Sequence, residues 1–181
     1  MIIAVASSPG AGKTHWIYQQ LAQADKPVGS FSPQAGSVPI DAIYLQSKYP
    51  QLKLYQEGEE AEFRNTITYF EIPWYLDLAG LEPLLQAFET HRVAVIPEGS
   101  DSSELEAWAD EIISGDSITQ PTDTLQIHRG VLTGEILDFD SLATFWLELT
   151  QGAYGEVVRA KGVFDLVDGL IYHGDFRLGK S

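Results

Sequence analysis

The chain has 181 residues, of which 26 are acidic and 11 basic, and its formal net charge is −15. A surface this acidic repels nucleic acids and anionic membranes, so we expect neither as a partner. The chain has no cysteine, which excludes disulfides, thiolate nucleophiles and thiolate metal sites. No apolar run reaches transmembrane length, and residues 1–6 have no basic leader, so the sequence predicts a cytoplasmic protein.

The first half of the chain predicts strands that alternate with helices. The apolar run Ile2–Ala6 fits a buried parallel strand, and His15–Ala24 fits a helix with Ile17 and Leu21 on one face. The segment Pro27–Pro39 is rich in Pro, Gly and Ser, which predicts a mobile loop. The other predicted strands are Leu52–Gln56, Thr66–Ile72 and Arg92–Ile96, and a helix is predicted at Leu81–Thr90.

A further helix is predicted from Ser103 to Gly115. Ser103 and Glu106 have the spacing of a capping box at its start, and the predicted apolar face comprises Leu105, Trp108, Ile112 and Ile113. The alternation of strands and helices predicts an α/β domain over residues 1–115, with a mainly parallel sheet and helices on both faces.

The second half predicts a smaller α+β domain over residues 124–181. The polar stretch Asp116–Asp123 contains Pro121 and is interpreted as a linker. The predicted βαββ elements are a strand at Leu125–Thr133, a helix at Phe139–Thr150 and strands at Tyr154–Asp165 and Gly169–Phe176. The helix has an apolar stripe of Leu142, Phe145, Trp146 and Leu149, and Gly152 ends it.

The segment Ser7–Thr14 reads Ser-Ser-Pro-Gly-Ala-Gly-Lys-Thr between a predicted strand and a predicted helix. Such a loop turns backbone amides toward phosphate oxygens, while the lysine reaches the β- and γ-phosphates and the threonine hydroxyl binds Mg²⁺. We therefore predict a P-loop NTPase-like domain that binds GTP or ATP with Mg²⁺. The predicted contacts are Gly10, Ala11, Gly12, Lys13 and Thr14. The motif departs from the usual pattern at Ser7, where a glycine is expected.

Hydrolysis would also require a carboxylate near the metal ion and a group that positions water. Glu71 lies near the end of a predicted strand, and Asp77 begins an Asp-x-x-Gly sequence. We predict both as catalytic residues, with Thr14 and Asp77 as metal ligands and Glu98 as a further alternative. The guanine-reading sequence Asn-Lys-x-Asp does not occur, so the motifs leave the base open.

The run Phe145–Phe164, which includes Gly152 and the Arg-Ala-Lys-Gly sequence at 159–162, resembles the C-terminal domain of the CobW family. The resemblance covers about residues 125–176. It implies a P-loop GTPase linked to metal insertion or delivery, so it favours GTP as the ligand and a protein contact at the C-terminal domain. The chain departs from the family because it lacks the Cys-x-Cys-Cys metal motif and the guanine-reading motif.

Several alternatives remain at the level of sequence. Arg159 and Lys161 share one face of a strand. This face is either solvated or salt-bridged, or it forms a basic strip that binds an acidic partner or senses the nucleotide domain. The four histidines, His15, His91, His128 and His173, show no metal-ligand spacing. The leading hypothesis is a slow, Mg²⁺-dependent NTPase whose nucleotide state controls a protein contact. The alternatives are a scaffold that no longer hydrolyses nucleotide and a small P-loop kinase or ATPase.

Overall fold

The structure is a computed structural model that describes residues 1–33, 39–74, 76–116, 134 and 136–178. The chain divides into two units, Met1–Thr122 and Asp123–Ser181. The predicted strand Leu125–Thr133, which carries His128, lies outside the described residues, and so does the predicted linker beyond Asp116.

Strands alternate with helices along the first unit. Its strands are β1 (Ile2–Ser7), β2 (Val28–Phe31), β3 (Lys53–Leu54), β4 (Ile67–Glu71), β5 (Thr90–Pro97) and β6 (Glu111–Gly115). Its helices are α1 (Lys13–Leu21), α2 (Ile40–Lys48), α3 (Leu78–Gln86) and α4 (Ser103–Trp108), with a 3₁₀ helix at Glu60–Asn65. The predicted strands that correspond to β1, β4 and β5 are therefore confirmed, and β3 is shorter than predicted.

The six strands form one sheet in the order β3-β2-β4-β1-β5-β6, and the described pairings within it are all parallel. β1 lies between β4 and β5, and Ile2, Ala4, Val5 and Ala6 in it are at most 2% exposed. Its uninterrupted apolar sequence is typical of a strand covered on both faces. Because the carboxyl ends of parallel strands share one edge, the segments after β1, β4, β5 and β6 all leave the sheet at that edge.

Helices cover both faces of this sheet. Side chains alternate along a strand, so Ala4 and Ala6 pack in one cluster with Leu81 and Leu85 of α3, which Leu105 of α4 also contacts. On the other face, Val5 and Val95 pack with Ile17 and Leu21 of α1 and with Leu45 of α2. The prediction of an α/β fold, with a parallel sheet between two layers of helices, is therefore confirmed.

The interpretation of Pro27–Pro39 as a single loop is wrong at its start, because Val28–Phe31 forms strand β2. Val28, Ser30 and Phe31 are buried, and β2 pairs with both β3 and β4. The strand was missed because it has only four residues and two of them are glycine and serine. Residues 34–38 of the predicted loop lie outside the described residues, and α2 begins directly after Pro39.

The predicted helix from Ser103 to Gly115 is also wrong, because the segment forms the short helix α4 and then strand β6. The N-cap of α4 is Ser102, with no side-chain capping bond, so Ser103 does not form the predicted capping box. Ile112 is 55% exposed, whereas Ile113 packs against the sheet core. The alternating pattern of a strand explains this difference better than a helical face does.

The described part of the second unit contains helix α5 (Phe139–Thr150) and the antiparallel strands β7 (Arg159–Asp165) and β8 (Ile171–Arg177). The predicted bounds of α5 are confirmed. Asp138 caps the helix by accepting bonds from the Ser141 amide (2.9 Å) and hydroxyl (2.7 Å), and these bonds lower the pKa of the Asp138 carboxyl. Gly152 follows the helix with φ at +86°, as a C-terminal glycine should. The predicted strand Tyr154–Asp165 begins only at Arg159.

The apolar side of α5 packs on the two-stranded sheet. Trp146 meets Phe164 with ring centroids 6.0 Å apart, and a Cβ on Gly174 would lie 2.6 Å from the Trp146 ring. Leu142 is 1% exposed. No helix in the described ranges is long and apolar enough to cross a membrane.

We expect Gly29→Ala to destabilise the first unit by about 1–3 kcal/mol through overpacking. A Cβ at Gly29 in β2 would lie 2.2 Å from the ring of Tyr55, which is 5% exposed and packs against Phe63. Urea unfolding measures the effect. The matched control is Gly80→Ala in α3, where a Cβ would make ordinary contacts of 3.5 Å or more. The control should be neutral or slightly stabilising, and equal losses in both variants would contradict the packing argument.

Candidate functional site

The loop between β1 and α1 has a backbone that suits an anion. Gly10 and Gly12 have φ angles of +76° and +97°, a conformation that residues with a Cβ rarely adopt. The Ala11 amide closes a turn on the Ser8 carbonyl at 3.2 Å. Helix α1 then begins with Gly12 as its N-cap and no side-chain capping bond, so its amino end presents backbone amides and the positive end of the helix dipole.

Ser7 does not disturb this loop. The usual motif has glycine at this position. In the structure Ser7 is the last residue of β1 and is paired in register with Val95 of β5. It therefore occupies an extended strand position, which any residue can adopt.

Three of the predicted site side chains come together at the start of α1 and the end of β4. The Thr14 hydroxyl donates to Glu71 Oε1 at 3.2 Å, and Lys13 Nζ lies 3.8 Å from the same oxygen. Glu71 is 4% exposed. A carboxylate this buried is costly unless it is paired, and the ammonium group and the hydroxyl supply that pairing.

Backbone contacts hold the end of β4 in place. Lys13 Nζ donates to the carbonyl of Ile72, directly after the strand. The Ser32 hydroxyl, which follows β2, donates to the Glu71 carbonyl at 3.1 Å. Sequence reasoning missed Ser32 because it missed β2. The apolar residues Val28 and Phe31, at the two ends of this short segment, could have indicated that strand.

The end of β6 is the second part of the site that sequence reasoning missed. The Asp116 amide donates to the Ala11 carbonyl at 2.9 Å. A Cβ on Gly115 would lie 2.5 Å from that carbonyl, and one on Gly12 would lie 3.7 Å from the Asp116 carboxyl carbon. The loop thus rests against β6, and glycine is required at position 115 for this approach. The pattern Ile112-Ile113-Ser-Gly-Asp, a β-branched pair followed by a turn, could have indicated it.

Asp77, predicted as a catalytic residue and metal ligand, has a structural role in α3. Its side chain is exposed and accepts a hydrogen bond from the Ala79 amide at 3.0 Å, which makes it the N-cap of the helix. Gly80 of the Asp-x-x-Gly sequence lies within the same helix. Glu98, the further alternative, lies in the exposed turn after β5. The carboxylate that the structure pairs with Thr14 is Glu71.

We expect Asp77→Ala to lower the free energy of unfolding by about 1 kcal/mol, because α3 loses its cap. Asp77→Asn keeps an oxygen acceptor and should remain close to the original stability. Urea unfolding measures both variants. A loss of Mg²⁺-dependent nucleotide affinity in Asp77→Asn, with stability unchanged, would restore Asp77 as a metal ligand in addition to its capping role. A stability of Asp77→Ala equal to the original would contradict the capping role.

A cleft of about 400 Å³ lies against the start of the loop. Ser7–Pro9 line one part of it, and the segment after β4, which includes Trp74, lines another. A third part is lined by Asp101–Glu104, which lead into the first turn of α4. Gly10–Thr14 do not belong to this lining. The cleft is therefore adjacent to the Lys13–Glu71 cluster and distinct from it.

Outside this region, Arg159, His15 and His91 have ordinary partners. Arg159 forms an ion pair with Asp175 across β7 and β8, which favours the salt-bridged alternative for that strand face. His15 is exposed and bonds to Gln19, while His91 pairs with Glu111 at 2.8 Å. Over the described ranges, no group of three or more His, Cys, Asp or Glu side chains is arranged to hold a metal ion.

The cluster can therefore offer an anion a set of backbone amides and one ammonium group, and can offer a cation two oxygen ligands. Thr14 Oγ1 and Glu71 Oε1 are 3.2 Å apart. Neighbouring ligands of octahedral Mg²⁺ lie about 3.0 Å apart, since each bond is about 2.1 Å long and the bonds meet at right angles. No protein-family model matches the chain, and no curated protein or solved structure is significantly similar to it.

Proposed function

We propose that the first unit is a P-loop NTPase-like domain that binds a nucleoside triphosphate with Mg²⁺. The observation that supports this most strongly is the pairing of Thr14 with Glu71, 3.2 Å apart, beside Lys13 and below a glycine-rich turn. Mg²⁺ bound to nucleotides takes one or two protein oxygens and completes its shell with phosphates and water. Two oxygens are thus sufficient, and a larger cluster of acidic ligands is unnecessary.

The charge of the protein makes this local arrangement necessary. With a net charge of −15, the protein's overall field repels a triphosphate. Lys13, the amides after Gly10 and the amino end of α1 offset that repulsion only at short range. Bound Mg²⁺ would reduce the negative charge of both the phosphates and Glu71, so binding should depend strongly on Mg²⁺.

Glu71 is the carboxylate we propose for hydrolysis. It lies beside β1 because β4 pairs directly with β1, with Val5 opposite Glu71 in the register. From there it can hold Mg²⁺ directly or through a water molecule. The resulting enzyme would be a slow NTPase, with GTP favoured by the resemblance to CobW proteins. The cytoplasmic location expected from the sequence remains part of this proposal.

The second unit is proposed to contact a protein partner. Several apolar side chains of its described part are more than half exposed: Phe139, Leu147, Tyr154, Val167, Leu170 and Ile171. A link to metal homeostasis rests on the CobW resemblance alone. The alternative is a scaffold in which the same contact persists without nucleotide hydrolysis.

Titration with fluorescent GTP and ATP analogues, in Mg²⁺ and in EDTA, tests the nucleotide proposal. We expect saturable binding that is tighter in Mg²⁺, followed by slow release of phosphate. Binding without phosphate release would leave a nucleotide-dependent switch or scaffold. No binding of either nucleotide at millimolar concentration would reject nucleotide binding and leave only the scaffold.

A further inference from the structure

The cleft beside the loop has an acidic rim. Asp101 and Glu104 both line it and are both exposed. Among the described lining residues there is no lysine or arginine. A phosphate group would be repelled here, so the cleft does not extend the nucleotide site. Its charge instead favours a cation.

The wall of the cleft also offers an unused polar group. Ser7 is 7% exposed, and its hydroxyl forms no hydrogen bond within the described part of the chain. The Ser7 oxygen is not among the buried side-chain atoms that lack a partner, so it is accessible from the cleft. Because Ser7 lines the cleft, an occupant is positioned to supply the partner.

Apolar side chains form another part of the lining. They include Ile72, Pro73, Leu78 and Leu105, together with Trp74, which is 39% exposed. An indole face attracts organic cations, and the neighbouring aliphatic side chains suit an apolar body. The volume of about 400 Å³ falls within the range of about 300–1,000 Å³ that is typical of small-molecule sites.

We propose that this cleft binds a small organic cation, an ammonium or guanidinium group on an apolar body. The cation lies near Asp101 and Glu104, the body contacts Trp74, and the Ser7 hydroxyl bonds to a polar atom of the ligand. The second part of the inference rests on the proposed function. Ile72 both lines the cleft and accepts a hydrogen bond from Lys13, so the bound cation would lie close to the terminal phosphate and the two ligands would bind cooperatively.

Three probes of similar shape test the charge preference: 2-phenylethylamine, the neutral 2-phenylethanol and the anionic 3-phenylpropionate. Binding to the nucleotide-free protein is followed by saturation-transfer NMR and by tryptophan fluorescence. We expect saturable binding of the amine in the millimolar range, weaker binding of the alcohol and none of the anion. Absence of amine binding, or equal binding of all three probes, would overturn the proposal.

Charge-removing variants then place the amine in the cleft. Asp101→Asn and Glu104→Gln should each weaken amine binding about five-fold, and the double variant should weaken it more than either single variant. Glu106→Gln is the matched control, because Glu106 is exposed on the same helix and outside the lining. Trp74→Phe should retain binding by NMR and lose the fluorescence change. Equal effects of the control and the two lining variants would place the amine elsewhere.

Repeating the amine titration with Mg²⁺ and GTP separates this inference from the proposed function. We expect the amine to bind several-fold tighter when nucleotide is present and to raise nucleotide affinity by the same factor, as linkage requires. Amine binding without nucleotide binding would support the cleft and reject the proposed function. Nucleotide binding that leaves amine affinity unchanged would reject the cooperative part, and nucleotide binding without amine binding would reject the cleft.

Discussion

Replacing Lys13 by alanine is expected to weaken nucleoside triphosphate binding in Mg²⁺ by about 10- to 150-fold. The range corresponds to the loss of one charge-assisted hydrogen bond, about 1.5–3 kcal/mol. The side chain lies 3.8 Å from Glu71 and also bonds to the Ile72 carbonyl, so it must turn from these partners to reach a phosphate. Titration with a fluorescent nucleotide analogue measures the affinity. Because the protein's net charge is −15, its overall field does not attract the nucleotide and cannot compensate for the lost ammonium group.

The control for this variant is Lys26→Ala, which removes one positive charge from an exposed position after α1. Its nucleotide affinity should remain unchanged, since exposed charges far from the ligand are screened by salt. Unfolding in urea must accompany both measurements, because Lys13→Ala also removes the ammonium that pairs with buried Glu71. A folded Lys13→Ala protein that binds nucleotide as tightly as the original would show that the phosphates lie elsewhere.

The fold was predictable where periodicity and burial agreed. Ile2–Ala6 is apolar at every position and forms the covered strand at the middle of the sheet, and Phe139–Thr150 has both a helical stripe and a terminal glycine. The prediction failed at Ser103–Gly115, where helix α4 and strand β6 follow one another without a break. Spacings of three and four placed Ile112 and Ile113 on the apparent helical face. Pairing with β5, a contact distant in sequence, establishes that the second part is a strand.

The candidate site was predictable where its residues are close together in sequence. Gly10–Thr14 form a local motif, so their proximity follows from sequence alone. Glu71 was one of two leading carboxylates, and its selection over Asp77 required the knowledge that β4 lies directly beside β1. Asp77 shows the limit of motif matching, because Asp at the start of a helix is also a common N-cap. Ser32 and Asp116 follow strands that were missed, and Gly115 is the last residue of one of them. Their position beside the loop was therefore not predicted.

Replacing Glu71 by glutamine is expected to change nucleotide affinity in opposite directions in Mg²⁺ and in EDTA. In Mg²⁺ the variant loses an anionic metal ligand or a group that orients one, and affinity should fall about 10- to 100-fold. In EDTA the buried negative charge near the phosphates is gone and Lys13 is released from its ion pair, so affinity should rise. Parallel titrations in the two buffers measure the change.

Glu57→Gln is the matched control, since Glu57 is exposed and should affect neither titration. The opposite signs matter because a merely structural role for Glu71 would weaken binding in both buffers, through distortion of the loop. A carboxylate that acts on the metal ion must help when Mg²⁺ is present and hinder when it is absent. Equal losses in Mg²⁺ and EDTA would therefore assign Glu71 to the fold, and no change in either buffer would place the Mg²⁺ site away from Thr14 and Glu71.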